Sequence, residues 1–292
     1  MSTAFHVDPR PGHLYVVGTP LGNLEDISFR AVRILQSVDL IAAEDTRHTG
    51  KLLQHFQITT PQLSYHQHNR QGRIQVLLRH LQGQRQAVAL VSDAGMPGIS
   101  DPGQELIAAC IDAGVPVVPI PGPTAAIAAL CASGLASDRF VFEGFLPPKG
   151  KARRDRLTAL TKEERTIILY EAPHRLIQTL TDLITVLGED RSIALGRELT
   201  KRFEEFWRGR LGEALTHYQQ QAPKGEFTLV VAGRDQTIPP VSEQTLQDEL
   251  TSLLQQGLSR SEASRQLAHS TGQPRQLIYR LALNITPSPP LS

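Results

Sequence analysis

The stretch VSDAGMPGISDPG, Val91 to Gly103, decides how this chain is read. It continues from AVALV (Ala87–Val91), a short, apolar, partly β-branched run that predicts a buried strand. A loop carrying Gly95, Gly98 and Gly103, Pro97 and Pro102, and Asp93 and Asp101 therefore leaves the carboxyl end of a core strand. Ligands of open α/β sheets bind in the crevice outside the carboxyl ends of the strands. Glycines let backbone approach a ligand closely, prolines stiffen the loop, and aspartates accept hydrogen bonds from hydroxyl groups. Two readings stand side by side: a cofactor cradle, or a turn-rich loop whose aspartates cap its turns.

Outward from this loop, strands and helices alternate. LYVVG, DLIAAE, LSYH, AVALV and VPVVPI read as strands, separated by helices through ISFRAVRILQSV, HTGKLLQHF, GRIQVLLRHL and QELIAACIDAG. Ile27, Ala31, Ile34, Leu35 and Val38 recur at helical spacing, with Asp26 as a plausible N-cap. This alternation implies a mostly parallel sheet covered on both faces. Beyond PIPGPTAA the rhythm changes. FVFEGFL, TIILYEA, RSIALGREL, EEFWRG and EFTLVVAG are strand candidates, with helices near RRDRLTAL, HRLIQTLTDLI and GEALTHYQQ, so a second α/β domain with a mixed sheet is expected. GRDQTIPPVS reads as a linker, followed by three helices in EQTLQDELTSLLQQG, SRSEASRQLAHSTG and PRQLIYRLAL, the second capped by Ser259 or Ser261. The expected organisation is an α/β domain over 1–121, a second over 122–237, and a small helix-turn-helix-like tail over 238–292.

Composition narrows the class without naming a function. A chain of 292 residues suits about two domains with cores of their own. A formal net charge of +1 means that any nucleic-acid partner must be held by a local patch. Cys110 and Cys131 lie in Ala/Ile-rich helical segments, where cysteine is usually a small buried hydrophobe; a reducing compartment and no disulfide are expected. MSTAFHVDPRPG has neither a basic start nor an apolar core, and no uninterrupted apolar run reaches about 18 residues, so a cytoplasmic protein without membrane contact is expected.

Several polar loops gather at the expected rim. VVGTPLGNLEDIS is a strand–turn–helix, but Pro20 sits between Gly18 and Gly22 and no third glycine follows, which argues against a dehydrogenase-type nucleotide site. EDTRHTG brings Glu44, Asp45 and Arg47, and SYHQHNR ends in Asn69. Asp45 is as well suited to cap the following helix as to do chemistry. Thr124 and Ala125 open a helix after PGP, offering amides to a carboxylate or simply starting a helix at a proline. LPPKGKARRDR clusters Lys149, Lys151, Arg153, Arg154 and Arg156 against the single acid Asp155, either as a solvated face or as a phosphate-binding patch. His66 and His68 make a poor metal site unaided, and no metal is expected.

Taken in order, VGTPLGNLEDIS, AEDTRHTGKLL, SYHQHN, SDAGMPGISDPG, PIPGPTA, FEGFLPPKGKARR, LYEAPHR and RELTKRFEE resemble the ribosomal RNA branch of the tetrapyrrole methylase superfamily, that of the 16S ribosomal RNA cytidine 2′-O-methyltransferases, from about Leu14 to Gly233. The resemblance implies two α/β domains of the tetrapyrrole methylase type, S-adenosylmethionine held folded in the cleft between them, and a homodimer acting on a decoding-centre cytidine of 16S ribosomal RNA in the assembled small subunit. It places Asp93, Ala94 and Gly95 against the donor's methionine and ribose portions and Ile99 and Ser100 as backbone contacts. Pro20, Thr124 with Ala125, Tyr170 and Thr228 complete the pocket. Arg47, Asn69, Lys149, Lys151, Arg153 and Arg154 are the expected RNA contacts. A ribose hydroxyl must attack the methyl carbon in line and lose its proton, so alignment supplies much of the acceleration and a positioned base adds roughly 10²–10⁴-fold. Asp45, Glu171, His174, Glu198 and Lys201 are unranked candidates to orient or deprotonate it; Arg197 and Lys201 are equally able to pair with Glu198 and Glu204 on a solvated face. The rival readings are a tetrapyrrole C-methyltransferase, which has no need of the basic segment or the tail, and a non-catalytic RNA-binding ligand sensor.

Overall fold

The strand that feeds the glycine- and proline-rich loop lies at the centre of a parallel sheet. A computed structural model describes residues 9–234, 242–271 and 273–285. Strands β1 (Leu14–Val17), β2 (Leu40–Ala43), β3 (Gln62–Ser64), β4 (Val88–Val91) and β5 (Val117–Ile120) pair in the order β3-β2-β4-β1-β5, each pair parallel. Every residue of β1, β2 and β4 is buried, because both faces are covered. Strand alternation divides the core in two. Tyr15, Val17, Ile41, Ala43, Ala89 and Val91 meet Ile34 and Leu35 of α1 (Phe29–Ser37) and Leu53 of α2 (Thr46–His55). On the other face Leu14, Val16, Ala42, Val88 and Leu90 meet Leu77 of α3 (Arg70–Leu78) and Leu106 and Cys110 of α4 (Gln104–Asp112).

The second sheet is mixed. Strands β6 (Phe140–Phe145), β7 (Thr166–Glu171), β8 (Ser192–Arg197), β9 (Glu205–Arg210) and β10 (Phe227–Val231) pair in the order β6-β7-β10-β8-β9, with β6 parallel to β7 and the other pairs antiparallel. Helix α5 (Ala125–Ser133) covers one face through Ala126, Ala129 and Leu130 against Ile168, Ala194 and Val230. Helices α6 (Gly150–Leu160), α7 (Pro173–Leu187) and α8 (Leu211–Gln220) cover the other, with Leu157, Leu180 and Ala214 against Ile167, Leu195 and Leu229. The α/β class with two sheets and trailing helices is the one expected.

The chain divides into compact units Met1–Arg234, which holds both sheets, and Asp235–Ser292. The latter contains α9 (Glu243–Gln255), α10 (Arg260–Thr271) and α11 (Arg275–Asn284) around Leu246, Leu250, Leu267, Ile278 and Ala282. Of the two serines considered as its cap, Ser259 starts α10: its hydroxyl accepts from the Glu262 amide while Glu262 accepts from the Ser259 amide. Most of the expected linker and the end of the tail lie outside the described residues.

Two local expectations are corrected. Asp26 does not cap α1. Asn23 caps a single 3₁₀ turn at Leu24–Asp26, the chain then extends through Ile27, and the Ser28 hydroxyl accepts from the Ala31 amide. Cys110 is buried but Cys131 is exposed, on the side of α5 turned away from the second sheet.

Candidate active site

The loops at the carboxyl edge of the parallel sheet are tied together by backbone. Thr19, just past β1, forms a two-way bridge with Gly95: the Thr19 amide donates to Gly95 O at 2.9 Å and the Gly95 amide to Thr19 O at 3.0 Å. The Thr19 hydroxyl donates to Ser92 O at 3.1 Å. Gly95 turns the chain with φ +78°, the left-handed region open to glycine. Gly18 and Gly122 bring β1 and the loop after β5 so close that a Cβ on Gly122 would stand 2.8 Å from Gly18 Cα. Asp93 joins a third loop, because its Oδ1 accepts from the Asp45 amide at 3.1 Å and its own amide donates to Glu44 Oε2 at 3.3 Å.

The facing rim of the second sheet is held by buried side chains instead. Arg153 donates to Asp182 at 2.7 Å, to the Thr179 hydroxyl at 2.9 Å and to Pro147 O at 3.1 Å. Thr179 in turn donates to Glu171 Oε2 at 2.5 Å, and Glu171 Oε1 accepts from the Ala172 amide at 2.9 Å beside Arg175 at 3.3 Å. This polar chain fixes the end of β7, where Tyr170 accepts from the Ala126 amide at 3.2 Å and its ring packs edge-on to Phe142 and Phe145.

Between these rims lies a cavity of about 330 Å³. Asp93, Ala94, Gly95, Ile99 and Ser100 line it from the opening loop, Thr124 and Ala125 from the start of α5, and Tyr170 and Thr228 from the second sheet. Nine of the ten residues expected around a donor are thus brought to one cavity. The tenth, Pro20, lines a neighbouring space of about 490 Å³ with Leu24, His48, Lys51 and Lys201. Leu21, Asp93, Ala94 and Glu226 line both cavities and so form the wall between them. The smaller cavity is acidic. Burial, followed by the neighbouring Glu44 charge, pushes the Asp101 carboxyl up to about 6. Burial also raises Glu44, with the Asp93 amide partly offsetting it.

The candidate bases separate by position. Asp45 caps α2 by accepting from the Arg47 amide at 2.8 Å, and the Arg47 guanidinium at 2.7 Å holds its carboxyl far below the usual range. Glu171 lines the smaller cavity, but it is 1% exposed and both its oxygens are bound. His174 is exposed at the start of α7 and lines neither cavity. Glu198 accepts from the Glu226 amide at 2.9 Å and from Lys201 Nζ at 3.0 Å; burial opposes its ionisation, but these two donors outweigh it and lower its pKa. Only Lys201 lines the larger cavity.

The expected RNA contacts separate too. Lys149, Lys151 and Arg154 are exposed at the start of α6, and Arg47 is exposed although paired with Asp45. Arg153 is the correction: at 6% exposure, with its guanidinium spent on Asp182, Thr179 and Pro147, it is a core residue and offers nothing to a phosphate. Asn69 folds inward, its Oδ1 accepting from the His66 amide and its amide group donating to Ser64 O. Glu44 and Asp101 were named in the sequence as rim acids without a site role, and Glu226 was not named. Each was available as an acid at the carboxyl edge of a strand or, for Glu226, just before one. Among the described residues no group of three or more His, Cys, Asp or Glu could hold a metal ion, and no helix is long and apolar enough to cross a membrane.

The family model described as tetrapyrrole (corrin/porphyrin) methylases matches residues 13–215, which hold the whole parallel sheet and the mixed sheet through β9. The chain belongs to the tetrapyrrole methylase family. Similar members include proteins named ribosomal RNA small subunit methyltransferase I. The one from Synechocystis sp. is 63% identical over 94% of this chain and 98% of its own length, and the one from Escherichia coli O157:H7 is 48% identical over 94% and 96%. Among solved structures, uroporphyrin-III C-methyltransferase from Thermus thermophilus superposes with a TM-score of 0.55 at 24% identity, over 76% of this chain and 94% of that one. A uroporphyrin-III C-methyltransferase from the same organism, complexed with S-adenosyl homocysteine, gives 0.53 at 19%, over 75% and 96%. At that identity the likeness is one of fold, and the two-sheet methylase architecture is the shared element.

Proposed function

We propose that this methylase transfers a methyl group from S-adenosylmethionine to the ribose 2′-hydroxyl of a decoding-centre cytidine in 16S ribosomal RNA, acting as a cytoplasmic homodimer on the small ribosomal subunit. The observation that carries the reading is the pair of cavities with one common wall. The smaller has a volume within the small-molecule range, an apolar and aromatic lining from Leu21, Phe145 and Tyr170, and the carboxyls of Glu44, Asp93 and Asp101, a set that suits a cationic nucleoside. The larger opens beside Lys51, which suits a phosphate-bearing acceptor. The names of the ribosomal RNA small subunit methyltransferases I support that choice of acceptor.

S-adenosylmethionine supplies an already activated methyl group. The chain's own residues would then do three things. Asp93, Thr124, Ala125 and Thr228 bind the donor, the loop clasped by Thr19 and Gly95 fixes its orientation, and Lys149, Lys151 and Arg154 hold the RNA backbone. The test is incubation with methyl-labelled S-adenosylmethionine and small subunits lacking the modification. Label in their 16S RNA, and none in subunits already modified, is the expected result. Label in a tetrapyrrole macrocycle, or donor binding without transfer to any RNA, would overturn the reading.

A further inference from the structure

We infer that Glu226 is the carboxylate that takes the proton from the acceptor hydroxyl, and that Lys201 positions it. The inference rests on the methyl-transfer reading above and adds the residue that sequence reasoning did not find.

Methyl transfer between two cavities must cross their common wall, and a base must reach the hydroxyl there. The wall is Leu21, Asp93, Ala94 and Glu226, so only two of its side chains can accept a proton. Asp93 is committed to the loop architecture, with its carboxylate on the Asp45 amide at 3.1 Å and its own amide on Glu44. Glu226 is different. Its backbone is pinned to Glu198 from both directions, the Glu226 amide donating to Glu198 Oε1 at 2.9 Å and the Glu198 amide to Glu226 O at 2.9 Å. Its side chain is 81% exposed and, among the described residues, is held by Lys201 Nζ at 2.7 Å. A carboxylate with a fixed backbone, a lysine tether and access to solvent can accept a proton and then release it.

Lys201 is not itself the base. Burial works against its charge, but Glu226 and Glu198 outweigh that effect and hold the ammonium above its usual range. Its stem lies over Gly22, where a Cβ would collide with Lys201 Cγ, so the loop after β1 leaves room for the lysine to reach both acids. Lys201 is therefore a positioning residue. In the step proposed, the hydroxyl oxygen bonds to the methyl carbon of the sulfonium donor as the carbon–sulfur bond breaks. The electron pair of that bond stays on sulfur, giving a neutral thioether, and the hydroxyl proton goes to a Glu226 carboxylate oxygen and then to water.

The experiment compares the full wild-type chain with Glu226→Gln, Glu226→Ala and Lys201→Met in single-turnover methylation of small subunits. Donor affinity is measured by calorimetry on the protein alone, and subunit affinity by sedimentation. Glu226→Gln is expected to slow transfer by about 10²-fold or more while both affinities stay at the wild-type value. Formate should restore part of the rate to Glu226→Ala, and Lys201→Met should show a smaller loss of the same kind. A wild-type rate in Glu226→Gln overturns the inference, as does a loss that tracks weakened donor binding and ignores formate. If the wild-type chain itself labels no RNA, the functional reading fails first.

Discussion

The two rims of the cleft are built by different means. The parallel sheet's rim is backbone, with Thr19 bridged to Gly95, Gly18 against Gly122 and Asp93 holding the Asp45 amide. The mixed sheet's rim stands on a buried chain of side chains from Asp182 through Arg153 and Thr179 to Glu171, and on the Glu198–Lys201–Glu226 set at the surface. Backbone contacts need glycine and proline at set places. Side-chain networks need only that charges meet after folding. The first kind therefore tolerates almost no added volume, and the second tolerates volume but not loss of a partner.

Each rim can be disrupted by a single substitution. The largest effect is expected from Arg153→Ala. Removing it leaves the Asp182 carboxylate without its guanidinium and takes a donor from the Thr179 hydroxyl, and a buried pair deprived of one partner costs about 3 kcal/mol or more. Urea denaturation checks this, and unchanged stability would mean that the network does not support the second rim. Gly122→Ala should cost about 1–3 kcal/mol, because the nearest atoms are Gly18 backbone, which cannot step aside as a flexible side chain would. The same denaturation curve, with donor calorimetry alongside, tests whether the loops loosen together.

Asp101 sharpens the contrast by pH. Its folded pKa of about 6 lies above the ordinary 3.8, so between those values the folded chain keeps a proton that the unfolded chain has lost. Stability therefore falls as pH rises through that window and stays lower above it. Asp101→Asn should remove this slope and stabilise the protein at pH 7 by on the order of 1–3 kcal/mol, while weakening a cationic donor. Melting temperatures of the two proteins from pH 4 to 7 would show it as curves that diverge with rising pH. The smallest effect on the fold is expected from Arg154→Glu, at an exposed site on α6. It should leave stability alone and reduce the salt dependence of subunit binding by about one phosphate contact. A stability loss equal to that of Arg153→Ala would erase the distinction between the neighbours.

The same contrast explains what was legible in the sequence. Most strands announce themselves as short apolar runs bounded by turn residues, the polar β3 and the charged β9 being the weakest, and the mixed character of the second sheet follows from strands that are neighbours in sequence. The opening loop, PGPTA and the TPLG turn were legible as a rim because glycine and proline mark backbone constraints locally. Arg153 was not legible as a core residue: in KARRDR nothing distinguishes it from Arg154, and only the turn of α6 sends one inward to Asp182 and the other out. Glu226 was hidden for a related reason. Its place on the common wall depends on β10 lying between β7 and β8, a pairing set by packing over the whole second sheet. Ser28 replaced Asp26 as a cap because the 3₁₀ turn delays the start of α1, a boundary shift that periodicity does not register.

Two cavities with separate tasks should lose their ligands independently, and a crossed titration measures this. Thr228→Phe adds bulk to the smaller cavity only, and Lys51→Glu reverses a charge on the larger only. With S-adenosylmethionine titrated by calorimetry and small subunits by sedimentation, Thr228→Phe should lose the donor and keep the subunit, and Lys51→Glu should keep the donor and bind the subunit more weakly. Loss of both ligands in each variant, or the reverse pattern, would contradict it.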